Sequence, residues 1–178
     1  MKKVYIISSS LRTNSNSEIL AHCFEKGAID NNNEVKFLSL KDFNLKFCTG
    51  CLSCIKTGEC VIKDDMLKVI DDISSSDVIC FVTPVYYYSL SGQLKTFLDR
   101  LNPLYYKDNR FKEIYLLSSC QDDSISSFDK VKTTLSGWIE CFDNVYLKDS
   151  LVALNTNDPS SVEQEYKDLA YKMGNSIK

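Results

Sequence analysis

The sequence predicts a doubly wound α/β domain, a five-stranded parallel sheet covered by helices on both faces in three layers. Three observations predict it. Short apolar runs alternate with helix-spaced apolar residues five times along the chain. The run Val78-Ile79-Cys80-Phe81-Val82 is apolar on both faces, as a central parallel strand must be. Polar and aromatic residues collect where the runs end. Right-handed crossovers then put a ligand site outside the carboxyl ends of the strands. With 44% hydrophobic and 25% charged residues but only six Gly and three Pro, disordered and fibrous classes are excluded and one globular domain over 1–178 is expected.

The elements follow in order. Val4-Tyr5-Ile6-Ile7 is a buried strand closed by Ser8-Ser9-Ser10. Ser15-Asn16-Ser17-Glu18 reads as a capping box, and Ile19, Leu20, Cys23, Phe24 and Ala28 continue the helix to Asn31-Asn32-Asn33. A second strand spans about 34–40, and Asp64 opens a helix whose inner face is Leu67, Val69, Ile70 and Ile73. Thr83-Pro84 stops the third strand, and a helix over about 91–101 precedes the fourth, Ile114-Tyr115-Leu116-Leu117. Val131, Leu135, Trp138, Ile139 and Phe142 mark the next helix, the fifth strand covers about 145–154, and Pro159-Ser160 opens the last helix with a second capping box, Ser160 to Glu163.

Lys and Arg total 21 against 24 Asp and Glu, so no basic field attracts a nucleic acid backbone. No apolar run approaches the roughly 20 residues of a membrane span, and Met1 to Ile7 reaches Ser8 too soon for a secretory signal, so a cytoplasmic protein without a membrane or nucleic acid partner is expected. Eight cysteines are then mostly reduced thiols. Cys23, Cys80 and Cys141 fall on apolar faces and read as core residues, and His22, the single histidine, reads as a surface residue.

A doubly wound sheet hosts many chemistries, so its loops decide. There is no G-x-G-x-x-G and no G-x-x-x-x-G-K-[ST]. Instead, Ser9-Ser10-Leu11-Arg12-Thr13-Asn14-Ser15-Asn16-Ser17 runs hydroxyls and amides into a helix N-terminus, an arrangement suited to a monophosphate. Tyr86-Tyr87-Tyr88 follows the third strand as walls for a flat heteroaromatic ring, and Ser118-Ser119-Cys120-Gln121-Asp122 adds a polar edge after the fourth. Phosphate, ring and polar edge together describe a mononucleotide such as FMN.

These stretches resemble the NAD(P)H-dependent FMN reductase family. The resemblance rests on Ser9-Ser10-Leu11-Arg12 to Ser17 for G-S-P-R-x-x-S-N-S, on Thr83-Pro84-Val85-Tyr86 for S-P-V-Y, and on Leu94-Lys95-Thr96-Phe97-Leu98-Asp99-Arg100 for L-K-x-F-x-D-R. It implies a flavodoxin-like sheet of order 2-1-3-4-5. Ser9, Ser10, Arg12, Asn14, Asn16 and Ser17 would hold the FMN phosphate, Pro84, Val85, Tyr86 and Tyr87 the isoalloxazine and ribityl, and Ser119, Cys120 and Gln121 the far side of the ring. Ser9 stands where the family usually has Gly. The activity implied is transfer of electrons from NADH or NADPH to a quinone, flavin or other small acceptor, in a homodimer or homotetramer. An iron-sulfur flavoprotein or a flavodoxin-type electron carrier without steady NAD(P)H turnover is the alternative.

Cys48, Cys51, Cys54 and Cys60 form C-x2-C-x2-C-x5-C, with Gly50 and Gly58 between them. Three thiolates two residues apart match the compact run of [4Fe–4S] ligands, whereas structural zinc draws two separated pairs. The motif also resembles the iron-sulfur flavoproteins, which hold a cluster near the flavin in the loop after strand two. A [4Fe–4S] cluster, zinc and free redox-active thiols remain three readings of this loop.

Overall fold

The computed structural model describes residues 1–178. Its five strands are β1 (Lys3–Ser8), β2 (Glu34–Ser39), β3 (Val78–Pro84), β4 (Glu113–Ser119) and β5 (Tyr146–Ala153). They pair in the order β2-β1-β3-β4-β5, every pair parallel, so the expected doubly wound sheet is what the chain forms. The longer helices are α1 (Asn16–Asp30), α4 (Gly92–Arg100), α5 (Ser126–Ile139) and α6 (Gln164–Asn175), and two single-turn helices, α2 (Ser53–Thr57) and α3 (Ile70–Ser74), lie between β2 and β3.

Alternation along the strands builds a core on each face. Ile6, Cys80, Val82 and Leu117 pack under α1 and α6 with Phe24 and Ala170, while Ile7, Phe81, Ile114 and Leu116 pack under α4 and α5 with Leu94, Phe97 and Leu135. Val78 to Val82 are fully buried, as both-face apolarity predicts. The tightest approach is between α1 and α6. A Cβ on Gly27 would stand 2.1 Å from the Tyr171 carbonyl oxygen, and one on Gly174 would stand 2.0 Å from that of Phe24, so the helices touch backbone to backbone.

Local readings differ from the structure at four places. Asp64 does not open a continuous helix: it caps a 3-10 turn over Asp65–Lys68, which rotates Met66 into the core and leaves Leu67 exposed. Ser160 does not cap the last helix, because its backbone is left-handed (φ 59°) and α6 starts at Gln164 after Glu163. The first capping box is half made. The Ser15 hydroxyl accepts from the Glu18 amide, but the Glu18 carboxylate accepts from Ser39 Oγ rather than returning to the cap. Cys141 lies past the end of α5 and is exposed, while Cys80 is buried in the core and Cys23 is half-buried beside it. His22 is on the surface, stacked on Phe37 and paired with Glu25.

The glycine contact gives a test of opposite signs. Gly27→Ala should lower unfolding stability by about 1–3 kcal/mol through overpacking. Gly137→Ala, in α5 with nothing within 4 Å of the added methyl, should raise it by up to about 1 kcal/mol. Urea unfolding of both variants checks the pair.

Candidate functional site

Four loops leave the carboxyl edge of the sheet side by side. The switch point lies between β1 and β3, from which the chain winds in opposite directions, and the first two loops open there. Ser9 continues the edge by donating its amide to Val82 O at 2.9 Å, Val85 donates to Ser119 O at 2.9 Å, and Cys120 to Ala153 O at 2.8 Å.

The β1–α1 loop has the form of an anion cradle. Leu11, Arg12, Thr13 and Asn14 are exposed, and Asn14 takes the left-handed conformation (φ 54°) that turns the chain into the helix. Ser15 caps α1, its Oγ lies 2.9 Å from Ser17 Oγ, and Ser10 Oγ accepts from the Arg12 amide at 3.3 Å. The Asn16 and Ser17 amides are first-turn groups without intrahelical acceptors, and the helix dipole adds positive potential. The Arg12 side chain makes no ion pair within the chain. Ser9 behaves differently from its neighbours. Its fully buried hydroxyl donates to Val82 O and accepts from Ser91 Oγ, both at 2.9 Å, while Ser91 caps α4 by accepting from the Leu94 amide. The side chain that replaces the usual Gly therefore turns inward and links the first loop to the second.

The second loop carries the tyrosines on a two-residue turn. Tyr86 and Ser89 exchange backbone hydrogen bonds at 3.1 and 3.0 Å, and between them Tyr87 (φ 48°) and Tyr88 (φ 59°) are both left-handed. Such a turn favours Asn-Gly, and each non-glycine residue held there costs on the order of 1–3 kcal/mol. Tyr87 is fully exposed, and the Lys130 ammonium lies 5.2 Å from the centre of the Tyr88 ring.

Val85, Tyr87, Tyr88, Cys120 and Gln121 line an open cleft of about 590 Å³, within the range of ligand sites. Asp122, Asp123, Asn155 and Asn157 complete it. Of the expected residues, Ser9, Ser10, Arg12, Asn14, Asn16 and Ser17 do not line this cleft, and neither do Tyr86, nor Pro84 and Ser119, which lie in the strand ends beneath. The residues missed from the sequence are the pair Asn155 and Asn157, while Tyr88, expected as a ring wall but not as a residue of the family's flavin loop, takes the place of Tyr86. Their signal was present, since Asn155-Thr156-Asn157 follows the fifth apolar run as the other polar clusters follow theirs. A hollow of similar size, about 600 Å³, opens among Tyr105, Tyr106, Lys112 and Phe142, but these residues precede β4 and β5 and so lie at the opposite edge. Volume alone does not choose between them; position at the carboxyl edge of the sheet does. Ser8, the last residue of β1, and Ser118, one before the end of β4, have buried hydroxyls without a partner.

The cysteine loop is a separate centre. Cys48, Cys51, Cys54 and Cys60 line one small hollow together with Arg100 and Asn102. Gly50 (φ 65°) and Gly58 (φ 70°) supply its left-handed turns, the latter closing α2 by donating to Cys54 O at 2.9 Å. Asn102 Nδ2 donates to Cys54 Sγ at 3.0 Å and Arg100 Nη2 to Cys60 Sγ at 3.4 Å. Hydrogen bonds from Ser53 hold the Cys51 thiol below its ordinary pKa. No three His, Cys, Asp or Glu side chains converge closely enough to hold a metal ion in this arrangement. The loop lies at the C-terminal end of α4 and the tyrosine turn precedes its N-terminus, so within one chain the two centres are separated by the helix, roughly 14 Å at 1.5 Å per residue.

Arg100 and Asp64 fasten this loop. Both side chains are fully buried, and the guanidinium grips the carboxylate through Nη1 and Nη2 while also donating to Lys46 O and Ile62 O. Asp64 further accepts from the Lys46 and Met66 amides. Burial pushes the Asp64 carboxyl up, but the hydrogen bonds from Arg100 and Lys46 and the guanidinium charge outweigh it and hold it below the ordinary value.

Asp64→Asn leaves the guanidinium buried without its counter-charge and should cost about 3–5 kcal/mol. Because the folded pKa is depressed, the carboxylate's contribution is complete above the unfolded value of about 3.9 and is lost as pH falls through the lower folded value. Acid unfolding of the wild type should therefore steepen below about pH 4, with a shallower slope in Asp64→Asn.

Comparison with known proteins bears on both centres. The chain is 34% identical over 104 residues to an iron-sulfur flavoprotein of Archaeoglobus fulgidus, covering 58% of this chain and 46% of that one. It is 35% identical over 102 residues to an iron-sulfur flavoprotein of Methanocaldococcus jannaschii, covering 57% and 53%. The chain thus spans about half the length of these curated relatives. Among solved structures, the NAD(P)H:quinone oxidoreductase from Methanothermobacter marburgensis superposes with a TM-score of 0.75 at 14% identity, covering 99% of each chain. An azoreductase from Bacillus anthracis reaches 0.76 at 16% identity, covering 99% of this chain and 100% of that one, and such identities speak for the flavodoxin-like fold alone. The profile of the NADPH-dependent FMN reductases matches residues 2–125, a stretch that contains the serine loop, the cysteine loop and the tyrosine turn, and by that match the chain belongs to the NADPH-dependent FMN reductase family.

Proposed function

We propose that the protein binds FMN at the carboxyl edge of its sheet and transfers electrons from NADH or NADPH to a small acceptor such as a quinone or a flavin. The observation that carries this reading is the placement, on one edge of the sheet, of an open helix N-terminus with an unpaired arginine after β1 and a tyrosine-walled cleft formed by the loops after β3, β4 and β5. One end suits a phosphate and the other a flat ring. Bound FMN would supply a hydride-accepting ring nitrogen and two-electron chemistry. The chain's own residues would bind and orient. Ser10, Arg12, Ser17 and the first-turn amides hold the dianion, Tyr87 and Tyr88 border the ring, and Gln121 with Cys120 meets its edge. The cleft's openness leaves room for a nicotinamide to approach. Aromatic side chains exposed at Tyr87, Tyr105 and Tyr106 suit assembly into a homodimer or homotetramer.

A second centre is supported by the common hollow of Cys48, Cys51, Cys54 and Cys60 and by the curated relatives' description as iron-sulfur flavoproteins. The donor set fits a [4Fe–4S] cluster in kind, and Gly50 and Gly58 give the loop the turns needed to draw its thiolates together. A cluster there would add one-electron transfer.

FMN titration should give about one site per chain, tighter than FAD, because only one helix N-terminus faces the loop. Arg12→Ala and Ser17→Ala should each weaken FMN by ~1–3 kcal/mol and leave riboflavin unchanged. Steady NAD(P)H oxidation separates the reductase from a flavodoxin-type carrier. Replacing Tyr87-Tyr88 with Asn-Gly should raise stability by relieving the left-handed strain while lowering flavin affinity, a pairing of signs that a merely structural turn would not produce. Anaerobic reconstitution with iron and sulfide should develop broad visible absorbance that Cys54→Ala abolishes with FMN binding intact; no iron uptake retires the cluster alone.

A further inference from the structure

The family resemblance assigns Asn16 to the phosphate, but its side chain is fully engaged elsewhere. Asn16 is buried, 6% exposed. Its Nδ2 donates to Asp158 O at 2.7 Å and to Ser161 Oγ at 3.3 Å, and its Oδ1 accepts from the Val162 amide at 3.0 Å. The orientation of the amide is unambiguous, since a carbonyl can only accept and a backbone N–H can only donate. Both Nδ2 protons are thereby used, and a phosphate, which offers acceptors, would find no side-chain proton of Asn16 to take, only its backbone amide.

The partners of Asn16 all lie in the loop between β5 and α6, Leu154 to Glu163. That loop has a second attachment. Thr156 donates both its amide and its hydroxyl to Cys120 O at 2.9 Å, and the Asn155 amide donates to Asp122 O at 3.2 Å. A third attachment, the bond from the Ser160 amide to Asn14 O at 3.1 Å, ties it again to the serine loop. One strap thus spans from the serine loop to the far wall of the cleft, which it lines with the side chains of Asn155 and Asn157.

We propose that Asn16 is a positioning residue whose amide clasps the β5–α6 strap, and that the strap makes the phosphate end and the ring end of the flavin site one unit. The inference rests on the FMN reading and goes beyond it: the residue that resembles a phosphate ligand acts on the ring through a loop more than 140 positions away in sequence. Removing the clasp frees Asn155 and Asn157 from their places in the cleft wall, so the loss falls on the ring and is shared by every ligand that contains it.

The test compares FMN with riboflavin, which lacks the phosphate. Asn16→Ala should weaken both by the same factor, about tenfold for the loss of hydrogen bonds to the strap, leaving the FMN to riboflavin affinity ratio at its wild-type value. Arg12→Ala, the control, should lower that ratio. Thr156→Val, which removes the hydroxyl at the strap's other end, should also weaken both flavins, and Asn16→Ala combined with Thr156→Val should be less than the product of the two single effects because both release one element. A fall in FMN affinity with riboflavin unchanged, no effect on either flavin, or fully multiplicative effects would overturn the clasp. If Asn16→Ala does not fold, Thr156→Val alone decides, overturning the proposal if it changes the ratio or neither affinity. If the wild type binds neither flavin, the FMN reading fails by itself. Hydrogen exchange at the Val162 and Ser160 amides, protected in the wild type and fast in Asn16→Ala, then still tests the clasp, and equal protection in both overturns it.

Discussion

Strands that all run one way send every strand-to-helix loop to the same edge of the sheet, and this constraint shapes everything else in the molecule. Helices must cover both faces, so the central strands are apolar along their buried lengths and the carboxyl edge is left as the place for polar chemistry. At the β1/β3 switch point two neighbouring loops diverge toward opposite faces, which opens a space no side chain of the core has to fill. The serine loop and the tyrosine turn stand there because the topology brings them together across more than seventy residues of sequence. Their own composition then decides what kind of molecule could lie between them.

Much of this was legible because it depends on local pattern. Val4 to Ile7 and Val78 to Val82 declare buried strands by composition, and the polar clusters that follow the first, third and fourth strands name three of the four loops that flank the site. What was hidden depends on distance in sequence. The Asp64 to Arg100 pair, 36 residues apart, becomes an ion pair only when α4 is laid against the cysteine loop, and Asn16 finds its partners at 158 to 162. The misread caps have the same origin. Ser160 followed by Glu163 fits a local motif, yet the strap's attachment to Asn14 holds Ser160 in a left-handed turn that no helix can start from. Met66 replaces Leu67 on the inner face because a 3-10 turn advances the chain by a different angle per residue than the α-helix assumed.

The two centres of the chain contrast in how they are held. The carboxyl edge is anchored by backbone bonds that continue the sheet, with exposed side chains at the rim. The cysteine loop has no ladder to join, and a buried guanidinium with its carboxylate takes that role, linking Lys46, Ile62 and Asp64 at its two ends. A buried pair is a weak source of net stability, but losing either partner strands the other charge in the interior. Here it fixes where the loop begins and ends, with the four thiols between.

The hydroxyl chain from Leu94 N through Ser91 and Ser9 to Val82 O has a consequence for how such sequences diverge. A glycine at position 9 would leave the Ser91 proton without its acceptor in a buried place, while an alanine at 91 would leave the Ser9 oxygen without its donor. Neither position can drift alone without an unmet polar atom. Lineages descended from a common ancestor should therefore carry the two residues as a matched pair, serine with serine or glycine with a residue that needs no partner, so that the identity at one foretells the identity at the other.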